Sequence, residues 1–166
     1  MANVIIVNEN DEIIGSKARN DRNQKDIIRV AGLIVYNSQN EVLVAQRSLN
    51  KVNDPGKWGP SVAGTVEEGE TYVSNIIKEA KEEIGLIIDE QELRIEQHSY
   101  QETNHRYFST LFSVVVDKSI SNFVIQKEEV REISWIPIQR LIKWFETSPR
   151  DFIPTFSKTI DILKAR

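Results

Sequence analysis

Short apolar runs, several of them alternating with polar residues, mark the first part of the chain and predict β-strands. The β-branched run Val4–Val7 predicts one strand, and the apolar residues at 13–15 predict a strand that returns after a polar turn. A second run covers residues 30–36, and the polar segment 37–40 has the composition of a hairpin turn. Glu41–Arg47 alternates and completes that hairpin. Residues 58–66 are predicted to be short and partly extended.

A helical pattern follows. Apolar residues recur at the three- and four-residue spacing of one helix face: Val73, Ile76, Ile77, Ala80 and Ile84. Thr71 is suited to cap the start of this helix, and Gly85 is suited to end it. The pattern therefore predicts a helix from Thr71 to about Ile84.

The second half of the chain alternates strands with helices near its end. Residues 93–100 and 107–116 predict an antiparallel pair, and residues 130–136 predict a last strand. Pro137 is well placed to start a helix over 138–146, and a final helix is expected within 150–165. This order predicts an α+β fold with a mixed, mainly antiparallel sheet covered by helices.

Composition narrows the class of protein. A length of 166 residues suits one domain with its own core, and a net charge of −4 gives no general attraction to a nucleic acid polymer. The chain has no cysteine, which excludes disulfides, thiolate metal sites and thiol catalysis. Neither a signal-peptide pattern nor an apolar run of about 20 residues is present, so we expect a cytoplasmic protein without a membrane partner.

Three glutamates give the main indication of function. At about 100° per residue, Glu79, Glu82 and Glu83 lie between roughly 240° and 340° from Ile76, beside the apolar stripe of the helix. Acids at that position line the rim of a cleft, where a bound cation is partly shielded from water. The alternative is an acidic face in open solvent, since exposed like charges cost only a few tenths of a kcal/mol per pair.

The segment around these acids resembles the Nudix box, the signature of the Nudix hydrolases. The family pattern is Gly, five residues, Glu, seven residues, Arg-Glu, an aliphatic residue, one residue, Glu-Glu, one residue, Gly and an aliphatic residue. The chain matches it with Gly64, Glu70, Lys78, Glu79, Ala80, Glu82, Glu83, Gly85 and Leu86. Lys78 replaces the arginine, and Ala80 is small for its aliphatic position. The resemblance extends over about residues 28–140.

The resemblance implies a fold, a cofactor and residue roles. It implies an α/β/α sandwich over residues 1–166 as a single domain, with residues 1–28 as an N-terminal strand or hairpin extension. It implies Mg²⁺, with Mn²⁺ as the alternative ion. The metal ligands it implies are Glu79, Glu82, Glu83 and the Gly64 carbonyl, with Glu129 favoured over Glu128 as a ligand or base from outside the box. Glu70 matches the glutamate that orients the box arginine, and Lys78 takes the place of that arginine without its bidentate fork.

The implied reaction is hydrolysis of a diphosphate bond in a small molecule by water attack on phosphorus. One of Glu79, Glu82 and Glu83 accepts the proton of the water. Arg29, Arg47 and Lys57 are candidate phosphate contacts, and Trp58 is a candidate for stacking on a base or for the core. The substrate and the presence of a homodimer stay open.

Two other functions compete with hydrolysis. The N-terminal pattern resembles the Nudix branch that includes isopentenyl-diphosphate isomerase, which uses a cysteine just before the box glycine. Here that position is Ala63. A non-catalytic Nudix module that binds a nucleotide is the other alternative, although such modules usually lose the box glutamates, which are present here.

Overall fold

The computed structural model describes residues 2–166. Its strands are β1 Val4–Val7, β2 Ile13–Lys17, β3 Ile27–Tyr36, β4 Glu41–Arg47, β5 Trp58–Gly59, β6 Val62–Thr65, β7 Arg94–Glu102, β8 Arg106–Val115 and β9 Val130–Pro137. Its helices are α1 Tyr72–Ile84, α2 Ile138–Thr147 and α3 Phe156–Lys164.

The strands form one mixed sheet built around β3. This strand pairs antiparallel with β1, β4 and β6, and it pairs in parallel with β8 along its whole length, from Ile27 opposite Arg106 to Tyr36 opposite Val115. β7 forms an antiparallel pair with β8, as the sequence predicted, and β4 carries β5 and β9. The sheet is therefore mainly antiparallel with a single parallel pairing.

Helices cover both faces of the sheet, so the predicted α/β/α architecture of the α+β class is confirmed. Leu33 and Val35 on β3 belong to the core beneath α1, together with Ile76. Their neighbours Ile34 and Tyr36 point to the other face and pack with α2 and α3. This division follows from the pleat, which sends successive side chains to opposite faces of a strand.

The ends of α1 are fixed by local chemistry, as the sequence predicted. The Oγ1 atom of Thr71 accepts a hydrogen bond from the Ser74 amide at 3.0 Å, and the Thr71 amide donates to the Ser74 hydroxyl at 2.9 Å. This reciprocal pair is a capping box. At the other end Gly85 has φ of 68°, a left-handed conformation that favours glycine and stops the helix.

Some predicted elements differ in their bounds. β3 starts at Ile27 rather than at residue 30, and the segment 58–66 is divided into two short strands. The last helix begins only at Phe156, after a 3-10 turn at Pro149–Asp151. The hairpin of β1 and β2 joins the central sheet through the pairing of Val7 with Ile27.

Over residues 2–166, none of the helices is both long and apolar enough to cross a bilayer. The expectations of a single domain, a cytoplasmic location and a homodimer stay predictions.

Candidate metal and diphosphate site

Strand β6, which precedes the loop into α1, lies directly against the helix at Gly64. A Cβ atom added to Gly64 would lie 2.5 Å from Cγ and 2.9 Å from Cδ of Glu79. Only glycine fits at this distance, because real Cβ atoms are not found so close to another carbon. The box glycine is therefore needed for the close approach of the Glu79 carboxylate to the β6 backbone.

Lys78 joins three carboxylates around this loop. Its Nζ atom lies 2.5 Å from Oε1 of Glu70, 3.1 Å from Oε2 of Glu67 and 3.6 Å from Oε1 of Glu79. Desolvation lowers the pKa of the ammonium, but the hydrogen bonds that it donates to Glu70 and Glu67 outweigh this effect and hold the pKa above its ordinary value. Lys78 is thus a cation that ties α1 to its preceding loop.

Glu83 lies on α1, one helical turn beyond Glu79. It lines a cavity of about 90 Å³ together with Glu129, Arg47 and Lys51. The Lys51 ammonium forms an ion pair with the Glu129 carboxylate. The tertiary fold therefore brings the box and Glu129 to the same cavity, although they are far apart in sequence.

The electrostatics of these acids indicate negative charge that is only partly compensated. Burial raises the pKa of Glu83 to about 8, and the negative charges of Glu79 and Glu129 add to that rise. Burial also raises the pKa of Glu79, and Lys78 opposes this rise. A nearby cation would favour the ionised form of both carboxyls.

These residues fit a hard dication in donor type and charge. Carboxylate and backbone oxygens are the ligands that Mg²⁺ prefers, and the Gly64 backbone lies close to the Glu79 side chain. In residues 2–166 no three Asp, Glu or His side chains already converge around one point. Lysines instead contact two of the acids, Lys78 at Glu79 and Lys51 at Glu129.

The other predicted site residues lie in different surroundings. Glu82 is exposed to solvent. Nε of Arg29 donates to Oδ1 of Asp11 at 2.7 Å, and the guanidinium lies over the Tyr72 ring. Asp11 and Tyr72, which contact Arg29, do not line the Glu83 cavity.

Of the remaining candidates, Arg47 lines the Glu83 cavity, whereas Lys57 and Trp58 do not. Nε of Arg47 donates to the Asn53 carbonyl at 3.0 Å. Nζ of Lys57 lies 4.0 Å from Asp54, and Trp58 packs edge-on against Trp144 with ring centroids 5.5 Å apart. The second alternative for Trp58, a place in the core, matches its contact with the α2–α3 cluster.

A larger cavity adjoins the Glu83 cavity. It has a volume of about 120 Å³ and lies between α3 and the sheet. Residues from β3, β7, β8 and α3 contribute to its lining, among them Val30, Gly32, Gln97, Ser109, Leu111 and Phe156. Pro60, Ala63 and Ile153 line both cavities, so the two form a continuous surface. The side-chain amide oxygen of Gln97, Oε1, is buried, with no hydrogen-bond partner among the residues the structure describes.

Sequence reasoning missed the larger cavity and the buried Asn75. The cavity has no local signal, because its lining comes from five separate elements, β3, β6, β7, β8 and α3. Asn75 does have one: it is a polar residue on the same side of α1 as the acids, roughly 260° from Ile76 at about 100° per residue. In the structure Asn75 is fully buried.

Comparison with known proteins agrees with this geometry. The family model for the NUDIX domain matches residues 26–156, so the chain belongs to the Nudix family. The crystal structure of DR0079 from Deinococcus radiodurans superposes with a TM-score of 0.77 at 22% sequence identity, covering 98% of both chains. At that identity the match concerns the fold.

Two curated relatives carry functional names. A prenyl-diphosphate phosphatase of Methanosarcina mazei is 27% identical over 156 residues, covering 93% of this chain and 90% of the relative. An isopentenyl-diphosphate Delta-isomerase of Photorhabdus laumondii is 31% identical over 104 residues, covering 61% of this chain and 59% of the relative. The resemblance to the branch that includes the isomerase is thereby confirmed. Nudix hydrolases generally use divalent metals.

Proposed function

We propose that the protein is a Mg²⁺-dependent hydrolase, with Mn²⁺ as an alternative ion, that cleaves a diphosphate bond in a small molecule. The observation that carries this proposal is the shared cavity of Glu83 and Glu129 beside Arg47 and Lys51. Carboxylates that can hold a dication and cationic side chains that can contact phosphate oxygens therefore line one surface. The match to the Nudix family supports the same reaction class.

The residues have separable roles in this proposal. Glu79, Glu82 and Glu83, with the Gly64 carbonyl and Glu129, would hold the metal. When bound, the metal supplies charge neutralisation of the diphosphate and activation of a water molecule. Lys78 and Glu70 keep the loop against α1. Arg47 and Lys51 would contact the phosphate oxygens.

Bond formation and proton transfer involve the same acids. The water oxygen forms a bond to phosphorus, the bridging P–O bond breaks, and one glutamate of the box takes the water proton. Glu83 is suited to this role, since it lines the cavity and a bound cation would favour its ionised form, which can accept a proton. Two phosphorylated products leave.

The larger cavity is where we place the organic group of the substrate. Because it shares Pro60, Ala63 and Ile153 with the Glu83 cavity, a diphosphate at the acids could extend its organic group there. The buried acceptor of Gln97 favours a group with an N–H or O–H donor, such as the base of a nucleoside diphosphate or of a compound linked to one.

A prenyl diphosphate is the second candidate substrate. The apolar residues Val30, Leu111 and Phe156 in the same lining favour it, and so does the similarity to the prenyl-diphosphate phosphatase. The Gln97→Leu variant separates the two: it should weaken activity on a nucleoside diphosphate and spare or improve activity on a prenyl diphosphate.

Chromatographic detection of the products tests the reaction itself, because ADP-ribose and dinucleoside polyphosphates are cleaved into two phosphorylated products without free phosphate. Wild type and Glu83→Gln are compared on ADP-ribose, nucleoside diphosphates, dinucleoside polyphosphates and isopentenyl or geranyl diphosphate, with Mg²⁺, with Mn²⁺ and with EDTA. We expect hydrolysis that needs the metal and is lost in Glu83→Gln while the variant stays folded. Allylic isomer formed without phosphate release would indicate an isomerase. Binding without turnover of any compound would indicate a non-catalytic module.

A further inference from the structure

The loop–helix junction of the box contains more hydrogen-bond acceptors than Lys78 can serve. A lysine ammonium has three N–H donors, and Lys78 faces carboxylates of Glu70, Glu67 and Glu79. The second oxygen of Glu70 accepts a hydrogen bond from the Glu67 amide at 2.9 Å and can accept another, and the carbonyl of Thr65 is a further acceptor. Thr65 directly follows Gly64, so both acceptors lie beside the proposed metal site.

Asn75 serves these two acceptors. Its Nδ2 atom donates to Oε2 of Glu70 at 2.8 Å and to the carbonyl oxygen of Thr65 at 3.0 Å. The side chain is fully buried, three residues before Lys78 on the same helix. Turning the amide round would point its oxygen at two acceptors, so the contacts fix its orientation.

The oxygen of the Asn75 amide, Oδ1, is buried and has no hydrogen-bond donor near it in the described residues. A buried acceptor without a partner costs free energy, so a residue there for packing alone would not carry one. Lys78 and Asn75 thus act at this junction only as hydrogen-bond donors. An arginine guanidinium would suit the same place, because it has five N–H donors and no acceptor.

We propose that Asn75 and Lys78 together replace the single arginine of the Nudix pattern, Lys78 supplying the positive charge and Asn75 the additional hydrogen bonds. Asn75 is then a positioning residue for metal binding, an inference that rests on the proposed function. It ties Thr65 and Glu70 to α1 at the point where Gly64 approaches Glu79. A Cβ on Gly64 would lie 3.0 Å from Oδ1 of Asn75, so a shift of Asn75 directly affects the loop.

The test is a double-mutant cycle read by metal binding alone. Mn²⁺ affinity is measured by electron paramagnetic resonance for wild type, Asn75→Ala, Lys78→Arg and the double variant. Removing a residue that orients a metal ligand typically lowers affinity about 10–100-fold, and we expect this for Asn75→Ala. In the double variant the arginine can occupy the space left by the amide and reach Thr65 and Glu70. Its affinity should return to within about threefold of wild type.

Two control variants exclude simpler explanations. Lys81→Arg makes the same change at an exposed site on α1 and should not rescue Asn75→Ala. Ile160→Val removes one methyl group from the core on the other face of the sheet, and it should lower thermal stability without changing Mn²⁺ affinity.

The outcomes are distinct. Additive effects, with no rescue by Lys78→Arg, would overturn the inference. If Asn75→Ala does not fold, the folding of the double variant becomes the readout, and an unfolded double variant also overturns it. A wild-type protein that binds no Mn²⁺ would instead refute the proposed function.

Discussion

The metal-free protein should lose stability as pH rises through neutrality, because of one carboxyl group on α1. In the unfolded chain the Glu83 carboxyl has an ordinary pKa of 4.5, whereas in the folded chain its pKa is about 8. Between these two pH values the folded protein binds the extra proton. The free energy of unfolding therefore decreases as pH rises over this window and levels off above about pH 8.

The magnitude follows from the same two values. The difference between 4.5 and about 8, at about 1.4 kcal/mol for each pH unit, gives an upper bound of about 5 kcal/mol. Glu83 is partly exposed, so solvent screening reduces this value. We expect about 1–3 kcal/mol of stability to be lost by pH 8.

Glu83→Gln removes the titration and keeps the size of the side chain. In EDTA the variant should be about 1–3 kcal/mol more stable than wild type at pH 8, and the difference should shrink toward zero near pH 4.5. Urea unfolding followed by circular dichroism between pH 5 and 8.5 measures this difference. Glu128→Gln is the matched control, because it makes the same substitution at an exposed residue that does not line the Glu83 cavity.

Saturating Mg²⁺ should reverse the order of the two proteins. An ion present at about 100 times its dissociation constant stabilises the folded state by about 2.7 kcal/mol, and Glu83→Gln should gain less than wild type. A difference between wild type and Glu83→Gln that is constant with pH, or of opposite sign in EDTA, would refute the electrostatic reasoning.

Three further substitutions test other parts of the site. Gly64→Ala should displace Glu79, lowering Mn²⁺ affinity at least about 10-fold and stability by about 1–3 kcal/mol. Unchanged Mn²⁺ titrations would contradict the close approach of Glu79 to the Gly64 backbone. Lys51→Met removes the cation paired with Glu129 and should strengthen Mn²⁺ binding in the absence of substrate, whereas weaker binding would show that the ion pair supports the site. Gly85→Ala should cost about 1–3 kcal/mol in urea unfolding, because its φ of 68° is strained for alanine; a loss below about 0.5 kcal/mol would show that the helix end relaxes.

Local signals in the sequence were sufficient for the elements and for the box. Thr71 and Gly85 predicted both ends of α1, because a cap residue and a left-handed glycine act within one turn of the helix. The spacing of Glu79, Glu82 and Glu83 placed them on one side of α1, because the helix period relates residues three and four apart. The bounds of β3 and α3 were less accurate, since pairing with β8 and packing on the sheet decide where those elements begin.

Only the tertiary structure decided what surrounds the acids. Glu129 lies near Glu83 because the Gln126 amide donates to the Glu83 carbonyl at 2.9 Å, and no spacing along the chain encodes that contact. Arg29 looked like any other basic residue in the sequence, yet the turn at Asp11 engages its guanidinium. The depth of burial that raises the pKa of Glu83 likewise depends on residues from several elements. Helix caps and side-chain spacing act over a few residues and can be read from sequence, whereas desolvation and charge–charge contacts depend on distances that exist only after the chain has folded.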